Sequence, residues 1–415
     1  MMLLLTLAVR NLLRNRRRTL ITMTGISLGL ALMSFSNNIS YGSHEEMLRT
    51  AVGMMAGHVV VQGPGYQADP DAEIVVVDSA AVAAAVAAAA PDGVVTRRLY
   101  VDGLLVSPSS STAAALKAVQ PTVEALVIDL DDKLVEGEWL AEDDDKGIVL
   151  GQALAEGLAV GLGDKVVFMG QPVGDEVASR LFRVRGIFRT GSPEIDAFSA
   201  VVPLSAAQEL YPAGDPATQV ALHLPDDRHT AERTRQVAAA VAALPGGADL
   251  EVLPWQQAIP DIVEFVELDS AYSDGIWLVL GVIVAMGVVN TVLMSVMERV
   301  REFGVMMAVG MRPGRLALMV LLEGLVLGAV SAGVGMALGM LLTWPFMVTG
   351  LDLSGEMGES MEAAGVPISL VLYPAIDVAR LALYPFVGIF FALLASLYPA
   401  WKVTRLQPVQ AIRHQ

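Results

Sequence analysis

Residues 276–296 read IWLVLGVIVAMGVVNTVLMSV, an apolar stretch of 21 residues without a charged side chain. About 20 such residues form a helix long enough to cross the roughly 30 Å hydrocarbon layer of a membrane. The whole chain agrees with this interpretation, because 54% of its 415 residues are hydrophobic and only 17% are charged. The stretch therefore predicts a membrane-spanning helix and argues against a purely soluble fold.

Three further stretches have the same apolar character. They cover residues 20–35, 316–348 and 381–401. Together the four stretches predict four transmembrane helices. We place these spans at residues 19–37, 276–297, 316–348 and 381–401.

The N-terminal stretch has a competing interpretation as a cleavable signal peptide, because five arginines precede it. However, no small-residue cleavage site follows Phe35, where the sequence reads SNNISY. We therefore expect this stretch to be retained as a membrane anchor.

Charge is divided unevenly along the chain. Residues 38–275 contain 14 basic and 36 acidic side chains, whereas the rest of the chain has a net charge of +5. Short flanks that are rich in Lys and Arg stay in the cytoplasm. We therefore expect the amphipathic N-terminus 1–18, the segment 298–315 and the tail 402–415 to be cytoplasmic. Residues 38–275 and the loop 349–380 are then external, in a multi-pass topology with both termini inside.

The external segment 38–275 alternates short β-rich runs with helical patterns. We predict strands near residues 58–62, 73–77, 165–169 and 182–188, and helices near residues 79–90, 152–158, 205–211 and 230–244. Residues 108–112 have loop composition and indicate a joint between two subdomains. Helical patterns at 36–55 and 255–274 predict stalks that continue the membrane helices outward. The expected fold class is an α-helical membrane protein with four transmembrane helices and a large α+β extracytoplasmic domain inserted between spans 1 and 2.

Several classes of enzyme are excluded by the residues that the chain lacks. The sequence has no cysteine, which excludes thiol nucleophiles, iron–sulfur clusters and disulfides. It contains no GxxxxGK[ST] phosphate loop, and its five histidines show no HExxH spacing. We therefore expect no catalytic residue, metal site or cofactor in this chain, and any ATP-driven role requires a partner subunit.

Glycines at four-residue spacing occur in the first and third predicted spans. Gly25 and Gly29 lie in a GxSxG pattern, but a hydrolase nucleophile elbow needs a strand-to-helix turn, and this pattern lies inside an apolar span. Small residues at this spacing allow another helix to approach closely, and we favour that interpretation. The same reasoning applies to the pairs Gly324/Gly328 and Gly335/Gly339.

Glu323 is the one ionisable residue well inside a predicted span. A charged carboxylate in the hydrocarbon layer is costly, so this residue is a candidate for a functional intramembrane group. The other interpretation is a structural carboxylate near the cytoplasmic end of its helix, which binds a neighbour or reaches Arg315. The sequence does not favour one of these over the other.

The segment MERVREFGVMMAVGMRPGR, residues 297–315, is too polar at its start to span a membrane and too apolar afterwards to form a solvated loop. It predicts a short amphipathic helix, with charged residues brought together at three- and four-residue spacing and apolar residues that insert into a pocket of a partner. The charged residues are Glu298, Arg301 and Glu302, and the apolar residues are Phe303, Met306 and Met307. A helix that lies on the membrane surface is the alternative.

Four parts of the chain carry motifs that are specific when they are taken together. They are residues 290–304 (NTVLMSVMERVREFG) followed by AVGM at 308–311 and Glu323-Gly324, residues 10–19 (RNLLRNRRRT), residues 149–155 (VLGQALA) with 163–166 (GDKV), and residues 407–413 (QPVQAIR). Together they resemble the permease of the MacB/FtsX/LolC-LolE superfamily of ABC transporters. The resemblance covers nearly the whole chain and implies a MacB-like periplasmic core domain between the first two spans.

The resemblance implies a dimer, formed with a second copy or a paralogue, that binds two cytoplasmic ABC ATPase subunits. ATP and Mg would be bound by those ATPase subunits, and no nucleic acid is involved. Such permeases act by mechanotransmission, in which ATP-driven closure of the ATPase pair moves the periplasmic domains through the stalks. The residues implied in ATPase coupling are Glu298, Arg299, Arg301, Glu302, Phe303, Gly304, Met307, Gly310 and Arg312.

The cargo is the least determined feature. Only 18 residues precede the first predicted span, whereas MacB carries an ATPase fused to its N-terminus. This difference favours the LolC/LolE branch, which extracts lipoproteins from the inner membrane and can pass them to a periplasmic acceptor. Apolar stalk residues are candidates for acyl-chain contact, although ordinary stalk packing is the simpler explanation for each. These candidates are Met47, Met54, Met55, Ile262, Phe265 and Val266.

Two alternatives stay open for the function. One is MacB-like extrusion of peptides or small amphiphiles with an adaptor and an outer-membrane duct. The other is FtsX-like activation of a cell-wall hydrolase.

Overall fold

The computed structural model describes residues 2–14, 16–128, 131, 133–173, 177–190, 193–211, 214–226, 228–352 and 371–406. The chain forms two compact units, which we name the helical unit and the mixed unit. The helical unit comprises residues 1–45, 265–352 and the chain from Val371 onward, and the mixed unit comprises residues 46–264. The tail motif at 407–413 lies outside the described residues.

The described residues form thirteen α-helices. These are α1 (Met2–Arg14), α2 (Arg16–Ala51), α3 (Ser79–Ala89), α4 (Pro121–Glu124), α5 (Gln152–Leu158), α6 (Pro193–Phe198), α7 (Leu204–Gln208), α8 (Thr230–Ala242), α9 (Trp255–Ala258), α10 (Pro260–Glu298), α11 (Val300–Ala308), α12 (Pro313–Thr349) and α13 (Val378–Thr404). A π-helical turn, Val52–Ala56, directly follows α2, and a short 3-10 helix covers Gly247–Asp249.

Four of these helices, α2, α10, α12 and α13, are long and apolar enough to cross a membrane. Each contains one of the four predicted spans and extends beyond it. The extensions are longest in α2, which continues to Ala51, and in α10, which begins at Pro260. Most of the predicted stalk ranges 36–55 and 255–274 thus lies on continuous extensions of the first and second long helices, whereas residues 52–55 lie in the π-helical turn and residues 255–258 form the separate helix α9.

Helix α12 packs closely against α13 and α2 because its glycines have no side chain. A Cβ atom at Gly328 would lie 2.5 Å from Cβ of Ala392 on α13, and one at Gly335 would lie 2.8 Å from Cβ of Leu30 on α2. Gly324 and Gly339 meet Ser396 and Ser34 in the same way. Close approach of this kind is how helices associate in membranes, and the prediction of helix contact at these two pairs is confirmed.

The glycines of the GxSxG pattern do not show the same close packing. A Cβ atom at Gly25 would meet nothing within 4 Å, and one at Gly29 would make an ordinary contact 3.5 Å from Leu280. At Gly25, therefore, no other helix among the described residues of the chain approaches closely. The pattern lies inside α2 and not at a strand-to-helix turn, so the geometry of a nucleophile elbow is absent there.

Ten strands form one sheet in the mixed unit. They are β1 (Val59–Gln62), β2 (Val94–Val106), β3 (Ser111–Val119), β4 (Leu134–Gly137), β5 (Gly147–Gly151), β6 (Lys165–Gly170), β7 (Ala178–Phe188), β8 (Ser199–Pro203), β9 (Gln219–His223) and β10 (Glu251–Pro254). The strand order is β10-β1-β9-β2-β3-β8-β5-β7-β4, and β6 pairs with β2 and β7. In the helical unit, β11 (Leu351–Asp352) pairs with β12 (Val371–Leu372).

Strand β2 is shared by two lobes of the mixed unit. Its first part pairs antiparallel with β9, and its later part pairs with β3 and β6. Each lobe has its own apolar core: one contains Val220 and Val237 with α3 and α8, and the other contains Leu105, Leu150 and Phe168. The α+β class expected for the inserted domain is therefore confirmed.

Two local predictions for this unit are wrong. Residues 108–112 do not join two subdomains, because they form the end of the β2–β3 turn and the start of β3, and the lobes are connected by β2 itself. Residues 73–77 do not form a strand and contribute a single bridge between Val76 and Ala217. The run of β-branched residues there has the right composition, but it meets a loop and not the edge of a strand.

Candidate functional site

The segment after α10 forms a separate short helix because residues on both sides of it leave the helical conformation. At Arg299 the backbone leaves the helical region, with φ −115° and ψ 12°. α11 ends before Gly310, whose φ of +102° favours glycine. Pro313 then occupies the first turn of α12, where a missing N–H costs little. The predicted amphipathic helix is thus present as α11.

One face of α11 is buried within the helical unit. Phe303 is fully buried and packs in the same apolar cluster as Val296 and Leu316, and Gly304 is also buried. Phe303 is therefore not available to insert into a partner, and that part of the prediction is wrong. The amphipathic period identified the apolar face correctly, but it could not show that the chain's own helices cover it.

The opposite face of α11 and the loop after it are exposed. Val309, which the sequence analysis did not select, is 85% exposed and is the most exposed large apolar side chain described in this segment. Met306 and Met307 are half-buried against the helical core. The exposed members of the predicted coupling set are Glu298, Arg301, Glu302, Gly310 and Arg312.

Glu323 lies in a buried hydrogen-bonded site. Its Oε1 atom accepts hydrogen bonds from Asn11 Nδ2 at 2.7 Å and from Arg299 Nη1 at 2.8 Å. Glu323 and Arg299 are only 2% and 3% exposed. Of the two interpretations, the geometry favours the structural carboxylate, and its partners are Arg299 and Asn11 where Arg315 was expected.

The same cluster continues to the surface through Glu302. Arg299 Nε donates to Glu302 Oε2 at 3.1 Å, and Arg14 Nη1 lies 2.9 Å from Glu302 Oε1. Burial alone would raise the pKa of Glu302, but hydrogen bonds from Arg14 and Arg299 outweigh it and lower that pKa. Nearby, Arg18 forms an ion pair with Glu298. We name the residues Asn11, Arg14, Arg299, Glu302 and Glu323 the polar cluster.

The polar cluster joins three helices of the helical unit: α1, α11 and α12. Arg299, at the start of α11, bonds Glu323 of α12, and Glu302 of α11 pairs with Arg14 of α1, so α11 is bonded to both neighbouring helices. An open cavity of about 390 Å³, lined by residues of these helices, lies beside the cluster. The five residues of the polar cluster include no nucleophile with an adjacent base, and their bonds hold α1, α11 and α12 together. Asn11 was missed by sequence reasoning, since an amide in an arginine-rich helix gives no distinctive signal.

The predicted acyl-contact residues have unlike environments. Met55 and Phe265 are 51% and 57% exposed. Met54 and Ile262 are partly buried and pack against apolar clusters of the mixed unit. Met47 and Val266 are also partly buried. Ordinary packing therefore accounts for Met54 and Ile262, and Met55 and Phe265 are the members with the most accessible apolar surface.

A second group of charged residues lies buried in the mixed unit, at the π-helical turn. Glu124 Oε1 lies 2.8 Å from Lys117 Nζ and 3.1 Å from Arg98 Nε. Arg98 Nη2 donates to the carbonyl oxygen of Gly53 at 2.7 Å, and Lys117 Nζ donates to that of Met54 at 2.9 Å. The side chains of Arg98 and Glu124 are 0% and 1% exposed. We name Arg98, Lys117 and Glu124 the stalk-end cluster.

The surroundings of the stalk-end cluster fix its protonation. Burial, followed by the positive charge of Arg98, keeps the pKa of His223 well below its ordinary value, so His223 is neutral near pH 7. Burial acts to raise the pKa of Glu124, but the positive charges of Lys117 and Arg98 together have the larger effect. The pKa of Glu124 is therefore lowered, and its carboxyl group is charged. Burial lowers the pKa of Lys117 to about 8, against the opposing effect of Glu124. Tyr100, whose hydroxyl donates to the Met54 carbonyl at 3.4 Å, has a raised pKa.

The lowered pKa of Lys117 predicts a pH dependence of stability. The unfolded chain binds a proton at this lysine up to its ordinary pKa of 10.5, whereas the folded protein releases it near pH 8. The free energy of unfolding should therefore rise with pH between about 8 and 10.5 through this group. We expect the Tm of the wild type, relative to that of Lys117→Met, to increase from pH 8 to pH 10. Lys165→Met, at an exposed lysine, controls for the loss of a lysine, and a constant difference across this range would contradict the prediction.

Two known protein families together match most of the chain. Residues 19–242 match the MacB-like periplasmic core domain, and residues 275–408 match the FtsX-like permease C-terminal domain. The first match alone spans more than half of the chain. It contains most of the mixed unit, and the second contains α11, α12 and α13.

Individual relatives are similar to this chain over nearly the whole of its length. The lipoprotein-releasing system transmembrane protein LolC of Neisseria meningitidis is 22% identical over 96% of this chain and 94% of that protein. LolC of Xylella fastidiosa is 24% identical over 95% of this chain and 93% of that protein. The macrolide export ATP-binding/permease protein MacB of Hyphomonas neptunium is 23% identical over 98% of this chain but 60% of its own length.

The fold and the matches agree on the architecture. Four long apolar helices, with a MacB-like α+β domain between the first and the second, make this a multi-pass membrane protein with an extracytoplasmic domain. The chain belongs to the FtsX/MacB-like family of ABC transporter permeases.

Proposed function

We propose that this chain is the permease subunit of an ABC transporter that extracts lipoproteins from the inner membrane for sorting to the outer membrane. The observation that carries this proposal is the alignment with two LolC proteins over nearly the full length of both partners. In this proposal the arginine-bearing ends of the long helices and both termini lie in the cytoplasm, and the mixed unit lies in the periplasm.

The energy comes from a separate ATPase. ATP and Mg bind to two cytoplasmic ATPase subunits, which hold a dimer of this chain with a second copy or a paralogue. The exposed face of α11, with Arg301, and the loop after it, with Val309 and Arg312, contact the ATPase. The polar cluster supports this role, because it bonds α11 to both α12 and α1 and so passes on a movement that begins at α11.

Lipoprotein extraction needs this energy because of the lipid anchor. Each methylene group that leaves the membrane costs about 0.8 kcal/mol, so removing several acyl chains together is strongly unfavourable. Met55 and Phe265 are the exposed members of the predicted acyl-contact set, and we propose them as the first residues to meet an acyl chain. A periplasmic acceptor then takes up the released lipoprotein.

Reconstitution tests this function directly. The chain, its partner permease if one copurifies, and the ATPase are placed in liposomes that carry a triacylated lipoprotein. We expect ATP to release the lipoprotein to a soluble acceptor, whereas an ATPase variant unable to hydrolyse ATP should leave it in the bilayer. Equal retention with and without ATP, in a complex that hydrolyses ATP, would contradict the proposal.

Extrusion of peptides or small amphiphiles is the second candidate. It is favoured by the alignment with MacB, which extends over 98% of this chain. Purification of the full complex from native membranes separates the two functions. An adaptor and an outer-membrane duct in the purified complex would support extrusion, and a lipoprotein acceptor would support release.

A further inference from the structure

The stalk-end cluster binds the last turn of the first stalk. A helix ends with carbonyl oxygens that have no partner in the helix itself. In the π-helical turn, the Val52 carbonyl accepts from Gly57 N at 2.6 Å. The Gly53 and Met54 carbonyls instead accept from Arg98 and Lys117. The end of the stalk is therefore capped by two cations, the fully buried Arg98 and Lys117, whose side chain is 12% exposed.

The charges of the cluster match the end of a helix. Two cations, Arg98 and Lys117, share one carboxylate, Glu124, which leaves an excess of one positive charge in a buried place. The C-terminal end of a helix carries a partial negative charge from its aligned peptide dipoles. The carbonyl groups of Gly53 and Met54 therefore supply partial negative charge that offsets the positive charge left after Glu124 is paired.

The cluster connects this turn to the centre of the sheet. Arg98 lies on β2 and Lys117 on the adjacent strand β3, and both strands lie in the middle of the strand order. The turn also packs against Val60, Ala258 and Ile259 in an apolar cluster. The stalk is thus fixed to the sheet by charged bonds and by packing, in addition to the peptide link to β1.

We propose that Arg98, Lys117 and Glu124 are positioning residues that transmit the movement of α2 to the sheet of the mixed unit. The inference rests on the proposed function, in which ATP hydrolysis moves the stalks. Without these bonds, the π-helical turn would remain tied to the sheet by apolar contacts and the short chain segment to β1. A movement of α2 would then be absorbed at the turn.

Two variants remove the bonds to the turn without leaving an unpaired charge. Arg98→Met loses the bond to the Gly53 carbonyl and leaves Lys117 with Glu124. Lys117→Met loses the bond to the Met54 carbonyl and leaves Arg98 with Glu124. The matched control is Arg97→Met, because Arg97 is the next residue on β2 and forms an ion pair with Asp215, not with the turn. Lys117→Arg serves as the conservative variant that should restore the bond.

Because the sequence contains no cysteine, spin labels attach only at cysteines that are introduced by mutation. Spin labels are attached through Ala239→Cys in the mixed unit and Val378→Cys in the helical unit, both at exposed positions. Distances between the labels are measured in the full complex in nanodiscs, with and without ATP and vanadate. Lipoprotein release per ATP hydrolysed is measured on the same samples, and thermal unfolding checks that each variant is folded.

We expect ATP to shift the distance distribution in the wild type, in Arg97→Met and in Lys117→Arg. In Arg98→Met and Lys117→Met the shift should be lost although ATP is still hydrolysed, and release per ATP should fall by roughly tenfold, as for other residues along a coupling network. A normal shift in both variants would overturn the inference. If one of these two variants does not fold, the distance shift of the other variant tests the inference. No shift in the wild type would instead contradict the proposed function.

Discussion

Replacing Glu323 by alanine is expected to lower the free energy of unfolding of the helical unit by about 3 kcal/mol, the lower end of the range for breaking a buried ion pair. The variant leaves Arg299 buried with Glu302 as its remaining acidic partner. It also removes the acceptor for Asn11. Unfolding of the purified protein in mild detergent, followed by circular dichroism, gives the difference from wild type.

The chain offers a matched control for this prediction. Glu298 also pairs with an arginine, Arg18, but the two side chains are 38% and 30% exposed. Exposed pairs contribute about 0–1 kcal/mol, so Glu298→Ala should have little effect on stability. If Glu323→Ala is no more destabilising than Glu298→Ala, the buried pair does not have the structural role assigned to it.

A double variant separates stability from transmission at the same position. Replacing a buried pair by apolar residues of similar volume is often neutral or stabilising. We therefore expect Arg299→Met with Glu323→Leu to recover most of the stability lost in Glu323→Ala. If this stable protein no longer couples ATP hydrolysis to release, the polar cluster transmits the movement of α11. Normal coupling would show that it serves stability alone.

Charge reversal on the exposed face of α11 is expected to abolish stimulated ATP hydrolysis. Arg301 is exposed and lies outside the polar cluster, so Arg301→Glu changes the proposed docking surface and leaves the buried bonds in place. Placing like charges at an interface costs several kcal/mol, so we expect affinity for the ATPase to fall by about a hundredfold or more. The measurement is ATP hydrolysis by the ATPase as the permease is titrated into it.

Glu302→Lys should abolish stimulation as well, but for two reasons. It reverses a charge on the same surface, and it places a third cation beside Arg14 and Arg299. Both variants should still insert into the membrane. Arg228→Glu, an exposed reversal in the mixed unit, is the control and should leave stimulation unchanged. Full stimulation by Arg301→Glu would remove this face of α11 from the ATPase interface.

Prediction from sequence succeeded where the residue pattern that determines a structure lies within one continuous segment. The four long helices follow from runs of apolar residues, and α11 follows from an amphipathic period that ends before Gly310 and Pro313. Prediction failed where a segment's surroundings decide its state. Phe303 has the pattern of an inserting residue but is covered by its own chain. Residues 73–77 have the composition of a strand but form only one bridge.

Hydropathy, charge and helix-breaking residues act over short stretches of the chain, so the sequence by itself determined the spans, the inserted α+β domain and the short amphipathic helix α11. The tertiary structure alone decided that Glu323 meets Asn11, 312 residues away, and that Arg98 binds the carbonyl of Gly53, 45 residues away. Such contacts depend on the register of whole helices and strands. A buried charged group that lacked such a partner would cost several kcal/mol, and no local pattern of residues records which distant group supplies the partner.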